Sequence, residues 1–346
     1  MLQWFRNLFA VSNSLLVSTS FKFNHCSTVC PYHHGVLLAW YSGTGECCDD
    51  QSVYVIFIDG LQQSEPLRIG DCTGNPVLIP AKDGGAIILW SKFEDKSYAP
   101  MGKILRLADR WKYCSLWVQR VAVENGKVHL QEKPKRIAGP EQHLLGRCNP
   151  LIHNGSVILP LYDEVERSCV IFEGKSDNVL DYVEIGRYGT DIIQPTLWCK
   201  GDKIGSLARN FSTHDDNPIL SKFCESMSGR NWSQPTLSNI WNLNNSLHVV
   251  KWRDDIIILW NDTNGRFRKN LTLGVLKCET DGLGFLKVFA EPVEVVGAKY
   301  GAYPSMCIDN NGDLNFSFTN ISKQIEYHVW NHKFFRERRN NRNSLT

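Results

Sequence analysis

Asp83-Gly84-Gly85-Ala86-Ile87-Ile88-Leu89-Trp90 is a turn that runs directly into a strand. The Asp-Gly pair suits a tight hairpin reversal, and the β-branched and aromatic run behind it suits a strand buried on both faces. The same shape occurs in His34-Gly35-Val36-Leu37-Leu38-Ala39-Trp40, Asn154-Gly155-Ser156-Val157-Ile158-Leu159 and Gly201-Asp202-Lys203-Ile204-Gly205-Ser206-Leu207. It returns in Asp254-Asp255-Ile256-Ile257-Ile258-Leu259-Trp260 and Asn311-Gly312-Asp313-Leu314-Asn315-Phe316. Ahead of each turn stands another short strand, commonly introduced by a polar residue and Pro: Asn75-Pro76-Val77, Asn149-Pro150-Leu151, Gln194-Pro195-Thr196 and Tyr303-Pro304-Ser305. Cys26-Ser27-Thr28 and Asn244-Asn245-Ser246 hold that place without Pro.

Each unit therefore reads as a β-hairpin, and the turns recur at roughly 50-residue intervals, the length of one four-stranded propeller blade. The expected fold is all-β: a six-bladed β-propeller of four-stranded antiparallel blades. Helical periodicity is weak, which argues against a doubly wound α/β fold, and a β-sandwich would not explain six recurring units. Residues 21–331 are assigned to the propeller, 1–20 to an N-terminal segment that could close it, and 332–346 to a basic tail read as a solvated terminus.

Composition narrows the partners. The 38 basic and 36 acidic residues are mixed along the chain and leave a net charge of +2, which gives no support to a nucleic-acid or anionic-membrane partner. No apolar run approaches the ~18 residues of a membrane span. Met1 to Ser20 is interrupted by Ser12, Asn13 and Ser14 and lacks a small-residue cleavage site, so it does not read as a signal peptide. The 12 cysteines are scattered and form no zinc-like double pair, which points to reduced, mostly buried thiols. No metal or organic cofactor is expected, since the carboxylates lack EF-hand-like spacing.

In a propeller the innermost strands line the axis, so the polar residues at their starts should converge on one shallow cup. That position holds His25, Asn75, Arg147 with Asn149, Gln194, Asn244 and Tyr303. Residues closing the second strands reach the same face: Glu46 with Asp49 and Asp50, Asp163 with Glu164, Arg209, and Asn261 with Asp262. Arginine, amide, carboxylate, phenol and imidazole groups in one ring suit an oxygen-rich, anionic sugar.

Leu37-Leu38-Ala39-Trp40-Tyr41-Ser42-Gly43-Thr44-Gly45-Glu46-Cys47-Cys48-Asp49-Asp50, Arg147 before Asn149-Pro150, Ile193-Gln194-Pro195-Thr196 and Ala302-Tyr303-Pro304 together resemble the BNR-repeat, exo-sialidase-like propeller family, from about Phe21 to Trp330. Ser226-Met227-Ser228-Gly229-Arg230-Asn231-Trp232 and Glu279-Thr280-Asp281-Gly282-Leu283-Gly284-Phe285 are similar to that family's Asp-box turn; the first lacks the Asp, and the second has its aromatic one place early. The resemblance implies glycoside hydrolysis with Tyr303 as nucleophile and Asp50, or its neighbour Asp49, as acid/base. A neutral phenol there avoids the repulsion a carboxylate nucleophile would meet at an anionic sugar. Arg209 and Arg268, with Arg266 as the nearby alternative to Arg268, match arginines that hold the substrate's carboxylate. Arg147, Asn75, Asn149, Asn244 and Asn261 are further expected to bind substrate.

Three departures are evident, one being Gly45, which stands where the family often has an Arg just before Glu46. Gln194 stands where the family has its Glu base, and His25 where it has its first carboxylate-binding Arg, so His25 or Glu46 is left to assist Tyr303. Two other activities fit the same fold: a non-catalytic carbohydrate-binding propeller, and a polysaccharide lyase using a Tyr/His pair.

Overall fold

The computed structural model describes residues 12–94, 107–175, 177–211, 220–242, 245–263, 268–280, 286–297 and 299–343. β1 (Ser12–Val17) is followed by blade 1, which contains β2 (Phe23–Tyr32), β3 (Gly35–Gly43), β4 (Ser52–Asp59), β5 (Gln62–Gln63) and β6 (Leu67–Asp71). Blade 2 is β7 (Thr73–Pro80), β8 (Ala86–Phe93), β9 (Cys114–Glu124) and β10 (Lys127–Ala138). Blade 3 has a divided inner strand, β11 (Leu144–Gly146) and β12 (Leu151–His153), then β13 (Ser156–Asp163), β14 (Ser168–Gly174) and β15 (Val183–Tyr188). Blade 4 is β16 (Ile192–Lys200), β17 (Lys203–Asn210), β18 (Leu220–Ser226) and β19 (Thr236–Trp241), and blade 5 is β20 (His248–Trp252), β21 (Asp255–Asn261), β22 (Leu271–Thr280) and β23 (Leu286–Gly297). Blade 6 joins β24 (Gly301–Ile308), β25 (Leu314–Asn320) and β26 (Gln324–Trp330) to β1, which pairs antiparallel with β26 as its outermost strand. The six sheets are the six-bladed all-β propeller that the recurring hairpins predict, and every hairpin named above joins the first two strands of its blade.

Blades packed face to face bury both surfaces of their inner strands. Every residue of β3 is buried, whereas β10, at a blade's outer edge, is mostly exposed. Inner strands of neighbouring blades splay apart and cannot share a backbone ladder, so hydroxyls bridge them. Thr28 Oγ1 accepts from Leu78 N at 3.4 Å, Thr196 Oγ1 from Val249 N at 3.0 Å, and Ser305 Oγ from Val29 N at 3.1 Å. All three occupy the same place, two residues after the polar residue that opens the strand.

The decayed Asp-box turn of blade 4 keeps its geometry by substitution. Ser226 Oγ accepts from the amides of Ser228 and Gly229 at 3.3 and 2.9 Å, and Trp232 Nε1 donates to Gly229 O at 2.8 Å. Gly229 has φ +76°, which a side chain would strain. Of the second such turn, Asp281 to Phe285 lie outside the described residues.

The basic tail differs from a solvated terminus. His332–Asn343 form α1, capped by Asn331, whose Oδ1 accepts from Phe334 N at 2.9 Å. Phe335 is fully buried against Trp252, and Arg339 pairs with Asp255 at 3.1 Å, so the basic residues are spent partly on acidic residues of blade 5. None of the twelve cysteines is bridged, and no helix among the described residues is long and apolar enough to cross a membrane.

Candidate functional site

In four inner strands the ladder skips, with register jumps between His25 and Thr28, Gly74 and Val77, Ile193 and Thr196, and Ala302 and Ser305. The first residue inside each jump has a positive φ: Cys26 at 56°, Asn75 at 44°, Gln194 at 56° and Tyr303 at 51°. Left-handed backbone costs a residue with a Cβ about 1–2 kcal/mol, and such strain gathers where function over-determines it. The polar-residue-then-Pro signal is thus a β-bulge. Neighbouring bulges touch, since Cys26 Sγ donates to Asn75 Oδ1 at 3.3 Å. One positional expectation is corrected here: the blade 1 residue equivalent to Tyr303 is Cys26, while His25 aligns with Ala302, one step before the bulge.

Blade 3 departs further. Arg147 to Pro150 leave the ladder between β11 and β12, and this excursion crosses toward the other blades. Arg147 donates from Nη1 to Ser27 O at 3.1 Å and from Nη2 to Pro304 O at 2.9 Å. Asn149 Nδ2 donates to Val29 O at 2.7 Å and Met306 O at 3.2 Å, and its Oδ1 accepts from Thr28 and Ser305. Cys148 Sγ lies 3.7 Å from both Gln194 O and Leu247 O. Three residues of one blade therefore reach blades 1, 4, 5 and 6.

Around Tyr303, which is half-buried, the structure gathers four of the expected residues. The His25 ring stands edge-on at 4.6 Å, and the guanidinium carbons of Arg268 and Arg147 lie 4.8 and 5.3 Å from the phenol ring centre. Arg209 is within electrostatic reach of Tyr303 and Arg268, and its Nη1 donates to Gln194 Oε1 at 3.3 Å. Burial lowers the Arg209 pKa; at Arg268 burial acts in the same direction, but the phenols of Tyr303 and Tyr300 outweigh it and hold the guanidinium above its ordinary range. Burial, reinforced by Arg268 and Arg147, holds the His25 imidazole well below its usual pKa, so it is neutral, and its Nδ1 has no hydrogen-bond partner among the described residues. Cations beside a neutral imidazole and a neutral amide make a cup suited to an anion.

Other expected residues are placed differently. Glu46 Oε1 accepts from the Tyr41 hydroxyl at 3.3 Å and from Trp111 Nε1 at 3.2 Å, and the Tyr41 ring lies 5.7 Å from His25. The Asp50 carboxylate accepts from Thr44 N and Thr44 Oγ1 at 3.1 and 3.0 Å, closing the β3–β4 loop, while Asp49 pairs with Arg110 at 2.9 Å. Asp163 is taken up by Arg187 and by the amides of Val165 and Glu166. Asn261 is buried and donates to Gly301 O and Lys269 O, tying the start of β24 to the Arg268 segment. Asn244 and Arg266 lie outside the described residues, but Asn245 Oδ1 accepts from Arg268 Nε at 2.8 Å. Tyr41, Trp111, Tyr162 and Asn245 neighbour these residues and were not singled out in the sequence, whereas Glu164 was expected beside Asp163. Tyr41 had a usable signal: it pairs with His25 as Arg209 pairs with Ile193, so the two hold equivalent places on second strands. Glu164 is raised in pKa by burial, opposed by Arg209.

Fold and site together define a β-propeller whose axial cup gathers cations about a phenol. The profile of the BNR repeat-like domain family matches residues 35–316, and the chain belongs to that family. Its fold is sialidase-like. Trypanosoma rangeli sialidase superposes with a TM-score of 0.65 at 12% identity, covering 95% of this chain and 61% of that one. The Hadza microbial sialidase Hz136 gives 0.67 at 10% identity, covering 90% and 66%. A protein of unknown function from Dyadobacter fermentans DSM 18053 gives 0.65 at 13%, covering 92% of this chain and 98% of that one. The chain thus spans about three fifths of the trypanosomal sialidase it matches. No curated protein matches its sequence.

Proposed function

We propose that this protein is a glycoside hydrolase of the exo-sialidase-like type, acting on terminal sialic acid or another acidic sugar. The observation that carries the reading is the convergence of Arg268 and Arg209 on Tyr303 in an axial cup whose nearest imidazole is neutral. The two guanidiniums hold the sugar's carboxylate. The Tyr303 oxygen attacks the anomeric carbon while Asp50 protonates the departing glycosidic oxygen, and the Asp50 carboxylate then takes a proton from the water that breaks the sugar–Tyr303 bond. Asp50 must turn from Thr44 to do so; Glu46 of the same loop accepts from Tyr41, whose ring lies 5.7 Å from His25. With Gln194 unable to accept a proton, neutral His25, whose ring stands 4.6 Å from that of Tyr303, is the group that this reading has relieve the phenol of its own.

A second reading, a polysaccharide lyase, is favoured by one observation, the His25–Tyr303 pair at 4.6 Å. There the pair would act as base and acid on a uronate whose carboxylate the arginines neutralise. Purified protein incubated with sialosides and with uronate polymers tests both. Release of free acidic sugar supports the hydrolase, and a product absorbing in the ultraviolet as an unsaturated uronate replaces it with the lyase. Binding without either product leaves a carbohydrate-binding propeller.

A further inference from the structure

Arg147 and Asn149 form two rungs of one ladder. Arg147 holds Ser27 O and Pro304 O, and Asn149 holds Val29 O and Met306 O. In all three strands the partners are two residues apart, so blade 3 grips β2 and β24 at the same two levels. The upper rung lies at the bulges themselves, because Ser27 follows Cys26 and Pro304 follows Tyr303. Arg147 is 1% exposed, and both its terminal nitrogens are already donated to backbone. A substrate carboxylate binding end-on would compete with Ser27 O and Pro304 O for those nitrogens, and the remaining donor, Nε, has no hydrogen-bond partner among the described residues but is buried out of a ligand's reach. Arg268 Nε and Arg209 Nη1, by contrast, donate to the side-chain amide oxygens of Asn245 and Gln194.

We propose that Arg147 is a positioning residue for Tyr303, and that the substrate's acid group is held by Arg209 and Arg268 alone. This rests on the hydrolase reading for its substrate, but its geometric half does not. Pro304 O is the carbonyl next to the reacting residue, so the guanidinium fixes where the phenol stands above the cup and keeps the His25 strand in register with it. Errors of about 1 Å in such placement cost on the order of a hundredfold in rate.

The test uses the full chain with Arg147→Met, Arg147→Lys and Arg268→Met. Binding of sialic acid and of its neutral methyl ester is measured by calorimetry, hydrolysis of an aryl sialoside by kinetics, and the Tyr303 environment by fluorine NMR of 3-fluorotyrosine-labelled protein, assigned with Tyr303→Phe. The Arg147 variants are expected to lose at least tenfold in kcat, keep the acid-to-ester affinity ratio within threefold, and shift or split the Tyr303 signal. Arg268→Met is expected to lose the preference for the acid. A ratio that collapses at Arg147 as it does at Arg268 overturns the proposal. If the unaltered protein binds neither acid nor ester, the hydrolase reading fails, and the fluorine signal still decides: a Tyr303 resonance unmoved in folded Arg147→Lys overturns the positioning role. Should Arg147→Met not fold, Arg147→Lys, which keeps the charge and a single donor centre, carries both measurements.

Discussion

Gln194 offers Arg209 an amide oxygen at 3.3 Å, and what separates that from a carboxylate is charge. An amide satisfies one N–H and leaves the guanidinium's positive field available to a ligand, whereas a carboxylate would neutralise it and could also accept a proton. A phenol attacks poorly until a neighbouring base draws off its proton. Gln194→Glu is therefore expected to raise kcat on sialosides at least tenfold, a part of the roughly 10²–10⁴-fold that full general-base assistance supplies; a fall in both affinity and turnover would show instead that the amide reads a different sugar. Tyr303→Phe removes only the reacting oxygen. Hydrolysis should disappear while calorimetric affinity for the sugar stays within about tenfold, and unchanged turnover would eliminate the Tyr303 mechanism. Asp50→Asn should slow natural sialosides much more than activated aryl glycosides, whose leaving groups need little protonation.

The inner hairpins show what an element contributes. Ser305 lies two residues past a bulge and accepts the Val29 amide at 3.1 Å, joining blade 6 to blade 1 where no sheet pairing exists. Ser305→Ala leaves that buried N–H unpaired, and the expected cost is about 1–3 kcal/mol in urea unfolding. A loss below 0.5 kcal/mol would mean that the bridge is replaced or dispensable. This hydroxyl was legible only as a letter after Pro, since its meaning depends on which strand lies across the blade gap. The bulge itself was half legible. The repeated polar-Pro pair marked the position correctly in blades 2, 4 and 6, but blade 1 lacks Pro, and counting by analogy placed His25 where Cys26 stands. A one-residue shift in a regular strand exchanges its faces, but the bulge beside His25 interrupts that alternation, and His25 still meets Tyr303.

Across the molecule, burial of neutral imidazoles near the axis makes stability depend on pH. His248 is pushed down to about 3 by burial and by Arg147, and His25 is lowered well below its ordinary value by burial and by Arg268 and Arg147. The unfolded chain takes up these protons near pH 6.5 and the folded one only far below, so from pH 6.5 downward the unfolded state holds more protons and stability falls with falling pH. Each unit of depression is worth about 1.4 kcal/mol. Urea midpoints should be level above pH 7 and decline between pH 6.5 and 4.5, and the decline should be shallower in His248→Gln. Equal slopes in the two proteins would show that His248 is not the source.

The six-fold recurrence of turn and apolar strand determined the architecture from sequence alone, because hairpin formation is local and the blade repeat follows from chain spacing. That Tyr303 and Arg209 should lie near one another could also be reached, since equivalent places in a repeat share a radius about the axis, whereas Arg268 was suggested only by the family resemblance. Only the tertiary structure decided what Arg147 and Asn149 do: the break in blade 3's inner strand carries them across to carbonyls of blades 1 and 6, about 120 and 157 positions away in the chain. It also decided that α1 docks on blade 5, through a Phe335 whose burial against Trp252 no local pattern announces. Contacts between distant segments depend on which surfaces the closed ring brings together, and that is a property of closure, absent from any single stretch of the chain.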